Sequence, residues 1–186
     1  MTRLSVVGID PGLQRHYCVR VQGQGTFPFP PHQFKQFDVG RVATWRDIDW
    51  VDWTMDSTSC RPKGFLEADV YVMEMPQHQG SLRNAVPVVR EASALLLRLY
   101  NTGRDVYTPY PPAINRVVCG TATPKLSAKI QAVRDVTGLE TGRGTLWNTT
   151  PENAHYIDAL LAALWFTEAD AAERARFKWY VGGNDG

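Results

Sequence analysis

The sequence contains few cysteines and no apolar run long enough to span a membrane. Its three cysteines, Cys18, Cys60 and Cys119, are far apart and form no closely spaced pair of the kind that binds metals. An odd number of cysteines without a secretory signal predicts reduced thiols in a cytoplasmic setting. The apolar run before Asp10 is too short for a signal peptide, and no stretch approaches the ~20 apolar residues of a spanning helix. We therefore expect a cytoplasmic protein that has no membrane partner.

The sequence also has almost no net charge, at +1, and no internal repeat. A protein that binds nucleic acid through its overall charge is often much more basic, so a nucleic-acid surface here requires its charges to be segregated. The length of 186 residues, with 44% hydrophobic and 21% charged residues, is typical of one folded domain with a hydrophobic core. The composition therefore argues against global disorder.

Apolar periodicity and turn residues predict a mixed α/β domain. Short β-branched runs predict strands at residues 4–10, 16–22, 34–42, 69–74 and 105–108. Amphipathic spacing between turn residues predicts helices at residues 46–56, 82–100, 111–118, 125–136 and 151–169. Because strands come first and helices follow with one strand between them, we expect a central sheet flanked by helices. Trp45, Trp50 and Trp53 are expected in the core.

Two of the predicted strands end on a carboxylate. Asp10 closes the first strand and is followed by Pro11, whereas Glu74 closes the fourth and is followed two residues later by Pro76. A carboxylate at the end of a buried strand costs free energy unless it is paired, hydrogen-bonded or bound to a metal. Strand ends are also where α/β sheets usually carry their functional sites. Asp10 and Glu74 are therefore candidate catalytic residues.

A third carboxylate lies on the last long predicted helix. The apolar residues of this helix have the spacing of one buried face: Ile157, Leu160, Leu161, Leu164 and Trp165. Because a helix turns by about 100° per residue, Asp158 falls at the border of this face, and His155 lies beside it three residues earlier. The helix therefore presents a histidine and an aspartate together at the edge of the core.

Each of these features has a plainer interpretation when it is taken alone. A strand-ending aspartate often forms a turn, a His-x-x-Asp pair is often a surface hydrogen bond, and Glu74 could pair with an arginine. Together, Asp10, Glu74 and Asp158 supply the hard oxygen ligands that Mg²⁺ or Mn²⁺ binds, with His155 as a fourth candidate. Two such ions about 4 Å apart can activate water and stabilise the leaving oxygen of a phosphodiester. The combination predicts metal-dependent phosphodiester cleavage.

Positive charge is concentrated in one segment of the chain. Residues 111–134 contain four basic residues and no acidic residue, whereas residues 38–60 contain five aspartates against two arginines. The basic residues of the first segment are Arg116, Lys125, Lys129 and Arg134. This segment is the predicted phosphate-contacting surface, with a solvated helix face as the alternative. Arg83 could extend this surface or contribute to a dimer contact, and His78 could touch the DNA strand that is cut or simply fill a loop.

Four blocks of the sequence, taken in order, resemble the RuvC-type Holliday junction resolvase family. Residues 8–12, Gly-Ile-Asp-Pro-Gly, resemble the opening motif of that family, and Glu74 resembles its second acidic position. Residues 110–125, with paired prolines, a basic helix, a glycine and a lysine, are similar to its basic segment. Residues 155–160, His-Tyr-Ile-Asp-Ala-Leu, resemble its closing motif. The matching blocks extend over residues 4–168 of the chain.

The resemblance implies a ribonuclease H-like fold, a homodimer, and Mg²⁺-dependent paired nicks in four-way DNA junctions during recombination and repair. Carried over to this chain, the resemblance makes Asp10, Glu74, His155 and Asp158 the metal-binding residues. We expect Asp10 to bridge two metal ions, with Glu74 and Asp158 each completing one side. His155 would bind a metal ion or handle the proton of the attacking water. Lys125 would approach a phosphate of the DNA.

The sequence also suggests domain limits, and it departs from the family in places. We expect a nuclease domain at residues 1–170 and a partly disordered C-terminal extension at residues 171–186. The family usually has a lysine near Asn115, whereas the nearest basic residue here is Arg116, and residues 75–79 lack the aromatic residue that usually follows the second acid. These departures concern the substrate more than the chemistry.

Small resolvases of this kind occur in bacteria and viruses, so we expect a bacterial cell or a virus-infected host cell, and the divergent middle favours a viral source.

Three other functions remain as alternatives. An ATP-binding protein of the actin and sugar-kinase type also begins with a strand and an Asp-Gly turn. It would need a longer chain and a second phosphate loop, for which residues 142–144 are the only candidate. A non-catalytic junction-binding protein would not need four intact acid and histidine positions. A nuclease of the same fold could instead cut other branched DNA or RNA/DNA structures, which a panel of branched substrates would distinguish.

Overall fold

The structure is a computed structural model that describes residues 3–12, 16–24, 37–42, 68–76, 82–143 and 147–179. The helix expected at residues 46–56, the three tryptophans expected in the core and His78 lie outside the described residues. The side chain of Arg83 is also outside them, although its backbone belongs to a described helix.

The centre of the fold is a five-stranded mixed sheet. Its strands are β1 (Arg3–Pro11), β2 (His16–Gln24), β3 (Phe37–Val42), β4 (Val70–Met73) and β5 (Asp105–Tyr107). They are ordered β3-β2-β1-β4-β5, with β3, β2 and β1 antiparallel and β1, β4 and β5 parallel. The five predicted strands are confirmed, and the parallel half of the sheet brings the ends of β1 and β4 to the same edge.

Four of the predicted helices are confirmed to within one residue at each end, and a fifth follows them. They are α1 (Leu82–Tyr100), α2 (Pro111–Cys119), α3 (Leu126–Thr137), α4 (Pro151–Glu168) and α5 (Ala171–Phe177). Glycines in the left-handed conformation end α2 and α3, because Gly120 has φ 73° and Gly138 has φ 70°. Among the described helices, none has both the length and the apolar character needed to cross a membrane.

Residues near the end of the described chain fold back onto the sheet. Asp170 caps α5 by accepting a hydrogen bond from the backbone N–H of Glu173 at 2.7 Å. Lys178 then forms an antiparallel bridge with Tyr107 of β5, and Phe177 packs against the core. The domain boundary expected at residue 170 stays a prediction, although residues just beyond it contact the edge of the sheet.

Helices pack on both faces of the sheet. On one face, residues such as Val6 and Val72 form a core with α2, α3 and α4. On the other face, β-strand residues pack against the inner stripe of α1, where Leu95, Leu96 and Leu99 are buried. All four residues of β4 are buried, which confirms that this strand lies inside the sheet and is covered on both sides.

Gly8 allows α4 to approach β1 very closely. A Cβ atom added at Gly8 would lie 1.9 Å from the backbone oxygen of Ala159 and 2.5 Å from the backbone nitrogen of Ala163. No L-side chain fits in that space, so only glycine permits this contact. The close contact fixes the height of α4 above the sheet and so determines where the polar residues of its first turns lie relative to the end of β1.

Candidate active site

Asp10 and Glu74 lie side by side where β1 and β4 end. The two strands are paired in parallel register up to Ile9 and Met73, and the Glu74 backbone N–H donates to the Ile9 oxygen at 2.9 Å. Side chains alternate along a strand, and Gly8 faces α4, so Asp10 faces α4 as well. By the same alternation from Val72, Glu74 points to that face. The strand pairing therefore brings together two carboxylates that are 64 residues apart in the chain.

The first turns of α4 supply the histidine and the third carboxylate. Nδ1 of His155 lies 2.7 Å from Oδ2 of Asp10, which joins α4 directly to the end of β1. Asp158 is one helical turn further along α4, at the edge of an otherwise buried segment, as the helical spacing predicts. Asp158 is close enough to influence the ionisation of both Asp10 and Glu74. We refer to Asp10, Glu74 and Asp158 as the carboxylate cluster.

Tyr17 is a site residue that the sequence patterns do not identify. It pairs with Asp10 across β1 and β2, and its ring stacks on that of His155 with centroids 4.7 Å apart and planes 13° apart. The ring of Tyr156 meets Tyr17 edge-on at 4.9 Å. The imidazole is therefore held on one side by the Asp10 carboxylate and on its face by Tyr17. The predicted limits of the first two strands, residues 4–10 and 16–22, do not fix this register, which a shift of one residue would change.

Lys129 lies inside the carboxylate cluster, although the charge pattern assigns it to the DNA-binding surface. Its Nζ is 2.6 Å from Oδ1 of Asp158, and the two side chains are only 19% and 24% exposed. The same ammonium lowers the pKa values of Asp10 and Glu74, which requires it to be near both. The structure therefore places Lys129 as a counter-charge within the site.

Burial and mutual repulsion disfavour ionisation of the carboxylate cluster. Burial, followed by the negative charges of Asp10 and Asp158, raises the pKa of Glu74 to about 8, and Lys129 opposes this rise. Burial also raises the pKa of Asp10, against the hydrogen bond from His155. That hydrogen bond in turn raises the pKa of His155. Fully ionised, the three carboxylates would carry one more negative charge than Lys129 and a protonated His155 balance.

The donor chemistry of the carboxylate cluster fits a hard divalent cation. Three carboxylates from β1, β4 and α4 converge in a partly dehydrated place, and a bound cation would relieve the repulsion that raises the pKa of Glu74. Within the described residues, no three His, Cys, Asp or Glu side chains are already spaced as ligands of one ion. Asp158 is paired instead with the ammonium of Lys129. The metal-binding roles of Asp10, Glu74, His155 and Asp158 therefore stay predictions.

Two of the other predicted DNA-binding residues lie on the surface of the described chain. Arg116 on α2 and Lys125, at the N-cap of α3, are exposed. Asn115, where the family resemblance leads one to expect a lysine nearby, is buried and donates from Nδ2 to the Ala122 oxygen at 3.2 Å. Asn115 therefore holds the connection between α2 and α3, and Arg116 and Lys125 stay predicted phosphate contacts.

The histidine at the start of β2 corrects an expectation. By its sequence context, His16 is expected to be an ordinary surface or hairpin residue, and it does lie in the hairpin. Its side chain is 1% exposed, however, and burial lowers its pKa to about 3, with Arg98 adding to the effect. The alternation that buries Cys18 on the α1 side also buries His16. Cys18 is buried, and burial raises the thiol pKa of both Cys18 and Cys119, which disfavours the reactive thiolate at either residue.

Comparison with known proteins supports the fold. No protein-family model and no curated protein matches the sequence. A RuvC structure from Thermus thermophilus is 19% identical with a TM-score of 0.58, over 95% of this chain and 100% of that one. The structure of T. thermophilus RuvC in complex with a Holliday junction substrate is 20% identical with a TM-score of 0.60, over 94% and 98% of the two chains. The chain therefore has the predicted ribonuclease H-like fold, with helices flanking a central mixed sheet.

Proposed function

We propose that this protein is a divalent-metal-dependent endonuclease that cuts branched DNA, with the four-way junction as its substrate. The observation that carries the proposal is the convergence of Asp10, Glu74 and Asp158, with His155 bound to Asp10, at one end of a ribonuclease H-like sheet. A RuvC structure of the same fold holds a Holliday junction substrate, which supports this choice of substrate.

Each residue of the site has a role that follows from its position. Asp10, Glu74 and Asp158 would hold two Mg²⁺ or Mn²⁺ ions, with Asp10 shared between them. Such ions supply activation of the attacking water and charge neutralisation at the leaving oxygen of the phosphodiester. His155 is 53% exposed and is held at Nδ1 by Asp10, so its other nitrogen can receive a proton at the surface.

The exposed basic residues outside the cluster suit the DNA backbone. Arg116, Lys125 and Arg134 are exposed on α2 and α3, and no acidic residue interrupts the segment that contains them. Contacts to phosphates position a duplex without reading its sequence, which is what a nuclease that recognises branch shape requires. His78 and Arg83 are further proposed contacts of the same kind.

An apolar stripe on α1 supports a homodimer. Val86, Val89, Leu97 and Tyr100 are 59%, 39%, 55% and 40% exposed and lie on one side of the helix. Exposed apolar stripes of this kind often mark protein interfaces. Paired nicks in a four-way junction need two active sites, which a twofold dimer supplies. Light scattering should give a molar mass twice that of the 20.9 kDa chain.

The experiment that tests the proposal is a cleavage panel with Mg²⁺, Mn²⁺ or a chelator. Its substrates are a synthetic four-way junction, a flap, a fork, an RNA/DNA hybrid and a linear duplex. We expect metal-dependent nicking of the junction in preference to the duplex, loss of nicking in Glu74→Gln, and full activity in Asp135→Asn. Asp135 is a matched control because it is exposed on α3 outside the cluster. Preference for another branched substrate would change the substrate, and metal-independent or absent cleavage would refute the proposal.

A further inference from the structure

The contact between Lys129 and Asp158 places a cation of the protein at a carboxylate proposed to bind metal. The Nζ–Oδ1 distance is 2.6 Å, and Lys129 reaches Asp158 from a different helix, α3. Both side chains are more than three-quarters shielded from solvent. The pair is therefore partly dehydrated, unlike an exposed ion pair that water and salt screen.

The ammonium acts on the whole carboxylate cluster. Its charge lowers the pKa values of Asp10 and Glu74, whereas Asp158 raises both. No other cationic side chain among the described residues has this effect on Glu74. Lys129 is thus the cation that acts on Glu74, whereas at Asp10 the effect of His155 is larger.

A divalent cation and this ammonium cannot both lie against Asp158 without strong repulsion. A carboxylate ligand of Mg²⁺ or Mn²⁺ stands about 2 Å from the ion. An ammonium that remained 2.6 Å from Oδ1 would then face a double positive charge a few ångströms away. A lysine is suited to yield, because its compact charge is carried on a flexible four-carbon stem.

We infer that Lys129 is a built-in competitor for the divalent cation at Asp158, which it neutralises in the metal-free protein and leaves when the ion binds. The inference rests on the proposed metal binding by the carboxylate cluster. Lys129 is a positioning residue in this account, because it sets the metal concentration at which the site fills and keeps Asp158 in place until then.

Lys125 provides a matched control. It is the same residue type at the start of the same helix, one turn before Lys129, but it is exposed and influences neither Asp10 nor Glu74. Replacing either lysine by glutamine removes one positive charge from α3. A difference between the two variants therefore reports the contact with Asp158 and not the net charge.

The test measures Mn²⁺ binding to the full-length protein without DNA, and electron paramagnetic resonance quantifies the unbound ion. We expect Lys129→Gln to bind Mn²⁺ about tenfold more tightly than the wild type, the change that ~1.4 kcal/mol of lost competition produces. Lys125→Gln should bind as the wild type does, and Lys129→Arg should also, because it retains the competing charge. Without metal, Lys129→Gln should melt at a lower temperature than the wild type, and it should gain more from Mn²⁺.

A second measurement uses NMR to follow Lys129 directly in the wild-type protein. In the wild type with ¹³C-labelled lysine, Mg²⁺ should shift the Cε signal of Lys129 and leave that of Lys125 in place. If wild-type Mn²⁺ binding depends on Asp10, then unchanged or weaker Mn²⁺ affinity in Lys129→Gln, or an unmoved Lys129 signal, would overturn this inference and leave the proposed metal site standing. If no variant binds Mn²⁺, the proposed metal site is wrong and the inference is wrong with it.

Discussion

The two ends of β4 carry carboxylates in opposite circumstances. At its start, Oδ2 of Asp69 accepts hydrogen bonds from the backbone N–H and the hydroxyl of Ser5 at 2.8 and 2.9 Å. At its end, no described residue donates a hydrogen bond to the carboxylate of Glu74, which instead faces Asp10 and Asp158. Four buried residues separate the two acids along one strand.

The two carboxylates have opposite effects on stability, because that of Asp69 stabilises the fold and that of Glu74 destabilises it. Asp69 ties the start of β4 to β1, and its donors are already in place. Glu74 is partly buried beside Asp10 and Asp158, and ionising it there costs free energy that no hydrogen bond from the described residues offsets. Such an arrangement persists where a bound cation or a chemical step uses it, and for that reason perturbed carboxylates indicate functional sites.

The largest expected effect on stability comes from disrupting the close contact between β1 and α4 at Gly8. Gly8→Ala would place a Cβ atom 1.9 Å from a backbone oxygen of α4, and neither backbone can yield locally. We expect a loss of roughly 3 kcal/mol or more in the free energy of unfolding, measured by urea denaturation. A variant with wild-type stability would show that α4 does not lie this close to β1.

Opposite changes in stability are expected when the two ends of β4 are altered. Asp69→Ala removes the acceptor of two hydrogen bonds from Ser5 and should lower the free energy of unfolding by about 1–2 kcal/mol. Glu74→Gln removes the buried charge and should raise it by about 1–3 kcal/mol in metal-free buffer at pH 9. Denaturation curves of both variants under one condition test the comparison, and destabilisation by Glu74→Gln would contradict it.

The effect of Glu74 should depend on pH in a defined direction. Its folded-state pKa of about 8 lies above the unfolded value of 4.5, so the folded protein holds the proton more tightly. Metal-free stability should therefore fall as pH rises from about 4.5 to about 8 and level off above that. His16 has the opposite effect at acidic pH. Because its folded-state pKa of about 3 lies below the ordinary value of 6.5, it should lower stability as pH falls from about 6.5 to about 3. The difference between wild type and Glu74→Gln isolates the first effect, and a flat difference would refute it.

The smallest expected effect concerns the ring that supports His155. Tyr17→Leu removes the stacked ring at 4.7 Å but leaves the carboxylate cluster intact. We expect junction cleavage to slow by about tenfold, as is usual when a residue behind a site residue is lost, with Mn²⁺ affinity little changed. Tyr17→Phe keeps the ring and should restore the rate. Equal slowing in both variants would show that the hydroxyl, not the stacking, matters.

Much of the fold and part of the site follow from local sequence patterns. Asp10 and Glu74 are recognisable because each ends an apolar strand near a proline, and Asp158 because helical spacing puts it at the border of a buried face. These signals are local, and the parallel pairing of β1 and β4 supplies the rest. The structure confirms the strands and helices that carry these residues and brings the carboxylates together.

The parts that sequence patterns miss depend on contacts between distant elements. Lys129 looks like any other cation of a basic segment, and only the packing of α3 against α4 brings it to Asp158. Tyr17 becomes a neighbour of His155 through the register of the hairpin and the height of α4 together. His16 looks like a polar hairpin residue, yet the sheet face it occupies is buried against α1.

The most direct test of the central claim compares the wild type with Asp10→Asn on a four-way junction. Binding is measured in Ca²⁺, and nicking is measured after transfer to Mg²⁺. Because asparagine keeps the shape of the side chain but lacks its negative charge, we predict that the variant folds and binds the junction while nicking falls below detection. Wild-type nicking by Asp10→Asn would contradict the account, because the cluster at the ends of β1 and β4 would then not be where the phosphodiester is cut.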